Sequence, residues 1–123
     1  MPAAQPTIDD EDPPVAELDR EALARFFRGL GDPTRLALLE FLADGERNVT
    51  ECVDHVELSQ GRVSVHLQCL SDCGFATVRR EGRFAYYSIA DGRAEELIRL
   101  AREMVEANRS GIAGCKQVAA SAG

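Results

Sequence analysis

Along the first third of the chain, apolar positions recur with the period of a helix. Leu23, Phe26, Phe27 and Leu30 stand at i, i+3, i+4 and i+7 and make one stripe, which predicts a helix from about residue 15 to residue 30. Gly31 ends it, and Asp32-Pro33 opens the next helix, with Asp as N-cap and Pro at the first helical position. Leu36, Leu39, Phe41 and Leu42 carry that helix to Asp44-Gly45. Asn48 and Glu51, three apart, are spaced as a capping box for a short helix ending near Val56. Ser59 caps a further helix that reaches about Asp72, with Val63, Leu67 and Leu70 as its inward stripe, and Cys73-Gly74 closes it.

The period then changes. Residues 75–90, FATVRREGRFAYYSIA, hold two β-rich runs around Glu81-Gly82-Arg83, a hairpin pattern. From Asp91 a helical pattern returns, about residues 92–108. Its apolar face is Ala94, Leu97, Ile98, Ala101, Met104 and Val105. Two short helices joined by a tight turn and followed by a hairpin form a helix-turn-helix with a wing. The fold class expected is therefore mainly α with a β-hairpin wing (α+β). Little chain remains to cover the last helix, so a homodimer through the first and last helices is expected. The domain limits expected are a disordered acidic arm over residues 1–14, the folded unit over 15–109, and a flexible tail over 110–123 that carries Cys115.

Composition changes this picture in two respects. At 45% hydrophobic and 28% charged residues the chain is that of a globular protein, with no apolar run of membrane-spanning length and no apolar leader, so the cytoplasm is the expected compartment. The formal net charge of -7 argues against nucleic acid until it is located. Asp9, Asp10, Glu11, Asp12, Glu17 and Asp19 concentrate it at the N-terminus, whereas residues 59–90 hold Arg62, Arg79, Arg80 and Arg83 against Asp72 and Glu81. The reading-helix face is locally basic.

Ser59, Gln60, Arg62, Ser64 and Val65 fall on the early turns of the second helix of the helix-turn-helix, the part that enters the major groove in this architecture. Gln pairs adenine, Arg pairs guanine and Val meets a thymine methyl. His66 is expected to pack the helix or touch phosphate, with a metal-ligand role as the lesser alternative. Arg79, Arg80 and Arg83 in the wing are expected at phosphate, and Tyr86 and Tyr87 in strand packing. There are no paired catalytic carboxylates in a pocket-like context and no glycine-rich phosphate loop, so no enzyme is expected.

The DPTR at residues 32–35, the LSQGRVSVHL at 58–67 and the RREGRFAYY at 79–87 resemble the ArsR/SmtB family of bacterial metal-sensing repressors over about residues 17–108. The resemblance implies a dimeric repressor that binds double-stranded operator DNA and leaves it when metal binds. One class of that family places a Cys-x-Cys pair where this chain has Asn48 and Thr50, so that site is absent; Cys52, two residues on, reads as a core residue. Another class uses Asp and His of the last helix, which here holds no His. Cys69 and Cys73 remain, four apart on one helix face, placed as in the cadmium- and lead-sensing branch. That branch takes its third thiolate from the partner subunit's tail, where Cys115 stands here. Three thiolates suit soft ions, namely cadmium, lead, mercury, and trivalent arsenic or antimony. A thiol redox switch on the same fold is the competing reading, disfavoured by the strain of an i, i+4 disulfide.

Overall fold

The computed structural model describes residues 15–115; the acidic arm and the end of the tail predicted from the sequence lie outside the described residues. Nine elements follow in order: α1 (Val15–Leu30), α2 (Pro33–Ala43), β1 (Arg47–Asn48), α3 (Val49–Val56), α4 (Gln60–Asp72), β2 (Ala76–Glu81), β3 (Phe84–Ile89), α5 (Arg93–Ala107) and α6 (Arg109–Ala113).

The predicted caps do the expected work. The Asp32 carboxylate accepts from the amides of Thr34 and Arg35 at 2.8 and 3.1 Å, and Pro33 follows it at the start of α2. Asn48 and Glu51 close the full capping box on α3, each side chain accepting from the other's amide at 2.8 Å. Ser59 Oγ accepts from the Arg62 amide at the start of α4. The turn between α3 and α4 passes through Glu57, a non-glycine residue in the left-handed region at φ 58°.

At the other end of α4, Gly74 adopts φ 88°. The Phe75 amide donates to Leu70 O at 2.9 Å and the Gly74 amide to Ser71 O at 3.1 Å. That pair of bonds is the Schellman ending, and it needs a residue that tolerates positive φ at this position. It turns Phe75 into the core and leaves Cys73 at the helix terminus.

The hairpin pairs β2 with β3 from Ala76↔Ile89 to Glu81↔Phe84 and turns at Gly82–Arg83. A third strand was not expected: β1 pairs antiparallel with β3 through Arg47↔Tyr87 and Asn48↔Tyr86, giving the order β1-β3-β2. The core lies between the helix-turn-helix and this sheet. Leu38, Leu39, Leu42, Cys52, Val63, Leu67, Leu70 and Phe75 are buried there, and Tyr87 adds its ring, as strand packing requires. The inward stripe Val63-Leu67-Leu70 is the one read from the pattern.

Two helix starts and ends differ from expectation. The cap position of α5 is Gly92 rather than Asp91. The Asp91 carboxylate still accepts from the Arg93 amide at 2.9 Å and pairs with the Arg93 guanidinium, which holds it down at about 2. Residues 109–113, assigned from composition mostly to an irregular tail, form a short helix.

Only the first part of α5 is covered. Ala94 is buried and Leu97 and Ile98 half-buried, whereas Leu100 and Met104 (61% exposed) stand open with Val105. On α1, Leu23 and Phe27 are likewise open, and between α1, α2 and α5 runs an apolar groove of about 780 Å³ lined by Phe27, Leu30, Leu36, Ala37, Leu97 and Val105 among others. Among the described residues, no helix is long and apolar enough to cross a membrane.

Candidate nucleic-acid interface and metal centre

Burial of Val63, Leu67 and Leu70 fixes the rotation of α4, and with it what the helix shows to solvent. Ser59, Gln60 and Arg62 are exposed at its N-terminus, and Val65 is 68% exposed, the most exposed of the large apolar side chains among the described residues. A lone apolar residue so open on a polar helix face is what a thymine methyl contact asks for. Ser64 is half-buried. Ser59, Arg62, Val65 and His66 together line a shallow surface hollow. His66 does not point to solvent alone: its Nδ1 lies 3.2 Å from Nη1 of Arg35 on α2.

The wing arginines are unequal. Arg79 was grouped with Arg80 and Arg83 as a phosphate contact, but its guanidinium donates to Glu46 and to Glu81 at 2.9 and 2.7 Å and lies over the Tyr86 ring. These carboxylates raise the Arg79 pKa, and Arg79 lowers that of Glu46, largely through the shared hydrogen bonds. A phosphate would have to displace both. Arg62, Arg80 and Arg83 form no ion pair among the described residues and remain available to DNA. The Glu46 partner, 33 residues from Arg79, had no sequence signal.

The opposite end of the same helix holds the thiols. Cys69 and Cys73 are both half-buried and lie within hydrogen-bonding reach of each other. Burial first, and then the neighbouring Cys69 sulfur, push the Cys73 thiol up. Cys73 sits on the last turn of α1. A β-carbon placed on Gly29 would stand 2.9 Å from Cys73 Sγ and 3.4 Å from the Phe75 ring. A side chain at residue 29 would therefore make the Cys73 sulfur shift. Beside Cys73, an open hollow is lined by Glu21, Ala22, Arg25, Phe26 and Asp72.

Cys52 differs in kind. It is fully buried in the core, and burial raises its thiol to about 11. Cys115 is half-buried just after α6, its amide donating to Ile112 O at 3.2 Å. Among the described residues of one chain, no three His, Cys, Asp or Glu side chains gather closely enough to hold an ion. The Cys69–Cys73 pair is thus a two-thiol donor set. It fits a soft ion by chemistry and falls short of three ligands by number.

Comparison with known proteins follows from this geometry. Residues 32–78 match the family described as bacterial regulatory protein, arsR family. A probable mercury resistance operon repressor of Streptomyces lividans is 48% identical over 98 residues, 80% of this chain and 78% of that protein. The transcriptional regulator CmtR of Mycobacterium tuberculosis is 39% identical over 92 residues, 75% of each chain. Among solved structures, the homodimeric winged helix-turn-helix DNA-binding domain of a possible ArsR-family regulator from Mycobacterium bovis superposes with a TM-score of 0.68. It has 29% identity and covers 80% of this chain and 91% of that one.

Proposed function

This chain belongs to the ArsR/SmtB family of DNA-binding transcriptional repressors and is not an enzyme, and from that premise we propose that it is a cytoplasmic repressor that leaves its operator when a soft metal ion binds cysteine. Mercury, cadmium and lead are the first candidates, with trivalent arsenic or antimony of the same thiophilic class. The name of one relative, a probable mercury resistance operon repressor, supports a metal inducer.

One observation carries the reading: the Cys69–Cys73 thiol pair lies on α4 itself, the helix whose other end reads DNA. Two chains related by a twofold axis, joined through the open faces of α1 and α5, present two α4 helices to half-sites about 34 Å apart. Gln60, Arg62, Ser64 and Val65 face base edges; Ser59, His66, Arg80 and Arg83 face the backbone, with Arg79 held in reserve by its carboxylates. Cys69 and Cys73 supply two thiolates to the ion, and Cys115 of the second copy supplies the third. Taking up the ion ties the end of α4 to the partner, so the two reading helices no longer match the half-site spacing. The coupling expected is roughly 5- to 150-fold in operator affinity.

The test is a titration of the reduced protein with mercury(II) and cadmium(II), following the thiolate-to-metal charge-transfer band and operator release together. Cys69→Ser, Cys73→Ser and Cys115→Ser should weaken or lose the band, and Cys52→Ser should keep it. Absence of a tight band, or release by peroxide but not by metal, would sink the metal reading in favour of a thiol redox switch.

A further inference from the structure

Arg35 is the residue whose side chain joins the three elements around the thiol pair. It leaves the first turn of α2 and makes three polar contacts in three directions. Nε donates to Gly29 O at 2.7 Å and Nη2 donates to Arg28 O at 3.0 Å, both at the C-terminal end of α1, where helix carbonyls lack intrahelical partners. Nη1 meets Nδ1 of His66 on α4 at 3.2 Å. A planar guanidinium with five N–H groups reaches three such acceptors at once; an ammonium on a flexible stem does not hold them in that geometry.

The positions of these acceptors connect the two ends of α4. His66, Cys69 and Cys73 stand at i, i+3 and i+7, one stripe of the helix. Gly29, whose carbonyl holds Nε, is also the residue on which Cys73 Sγ is seated. A continuous path therefore runs from the Cys73 sulfur to the Gly29 backbone, to the Arg35 guanidinium, and back to α4 at His66, beside Arg62 and Val65. Arg35 and Gly29 are not among the residues assigned to DNA, whereas His66, at the end of the path, is set at its backbone.

We propose that Arg35 is a positioning residue that sets the angle of the DNA-reading helix against α1, so that a ligand displacing Cys73 from Gly29 is felt at His66. The role in metal response rests on the sensor reading above; the role in holding the reading helix does not.

The experiment compares wild type, Arg35→Lys, Arg35→Met and His66→Ala. For each, thermal melting checks the fold, the charge-transfer band counts ions per subunit, and fluorescence anisotropy gives operator affinity with and without metal over a salt series. Arg35→Lys should fold and take the same number of ions. Its metal-free operator affinity should fall, with the salt slope unchanged because no phosphate contact is lost. The metal-induced ratio should shrink from the wild-type 5- to 150-fold range towards about 1. In the His66→Ala background the Arg35→Lys change should have a smaller effect than in wild type, since one end of the bridge is already gone and the two carbonyl contacts remain.

Wild-type operator affinity and wild-type metal ratio in Arg35→Lys would overturn the proposal. So would a salt slope reduced by about one, which marks a direct phosphate contact. So would strict additivity with His66→Ala. If wild type itself shows no band or no metal-dependent release, the sensor reading fails, while the metal-free comparison and the His66 cycle still decide the positioning role. If Arg35→Met alone unfolds, the lysine variant carries the test.

Discussion

Cys52 and Cys73 bear the same thiol in surroundings that give it different work. Cys52 is enclosed by the core and raised to about 11 by that burial. Its neutral form is favoured by the fold, so this stability is fully present below the ordinary thiol value of 9.0. It is lost as pH rises from there through about 11. Thermal melts of wild type should therefore weaken across that window, and less so for Cys52→Ala. That substitution should lower stability by about 1–2 kcal/mol at neutral pH through the cavity it leaves, with the metal band intact. Cys73 is also pushed up, yet it lies at the surface and next to a second sulfur. Metal must displace its proton, so apparent affinity for the ion should climb with pH and level off only above the usual thiol range. A flat pH profile between neutral and alkaline pH would show that Cys73 is not a ligand.

Elements are placed by their ends here more than by their lengths. The Schellman ending of α4 keeps Cys73 at the helix terminus, and the last turn of α1 comes close enough that a β-carbon at residue 29 would meet its sulfur. Gly29→Ala tests that contact. Alanine favours a helix by about 1 kcal/mol, which offsets part of the crowding, so melting should move by only a few degrees. The Cys73 sulfur must shift, and affinity for the ion should drop by roughly 10-fold or more, the scale of losing a ligand's support. Wild-type ion affinity in Gly29→Ala would mean that the seat of Cys73 on α1 does not matter to the site.

For the whole molecule, the open apolar faces of α1 and α5 ask for a cover. Leu23, Phe27, Leu100, Met104 and Val105 are too exposed for a chain acting alone. Covering them with a second copy also sets the distance between two reading helices. Leu100→Glu should leave the helix content unchanged and give a monomer in sedimentation. Operator affinity should fall roughly a thousandfold or more, towards the non-specific level. A Leu100→Glu protein that stays dimeric would place the interface elsewhere.

The helices α1 to α5, the caps of α2, α3 and α4, the hairpin and the thiol pair were legible in the sequence because each rests on local rules, whereas the short α6 and the Gly92 cap of α5 were not. A stripe at i, i+3, i+4, a Ser or Asp before it, a glycine after it, and two Cys four apart are read within a few residues of one another. What escaped was long-range. The two-residue β1 is too short to carry a pattern and exists only because β3 lies beside it. Arg79 pairs with Glu46, 33 residues away, a contact for which the sequence carries no signal. Arg35 stood inside a recognised motif with no role assigned, because its acceptors belong to α1 and α4 and are brought to it only by folding. Local sequence determines which elements form and which face each turns inward, since capping and periodic burial act over a few residues. Which charges are already paired, and which side chain spans three elements, was decided by tertiary packing alone, since only packing brings distant residues within hydrogen-bonding distance.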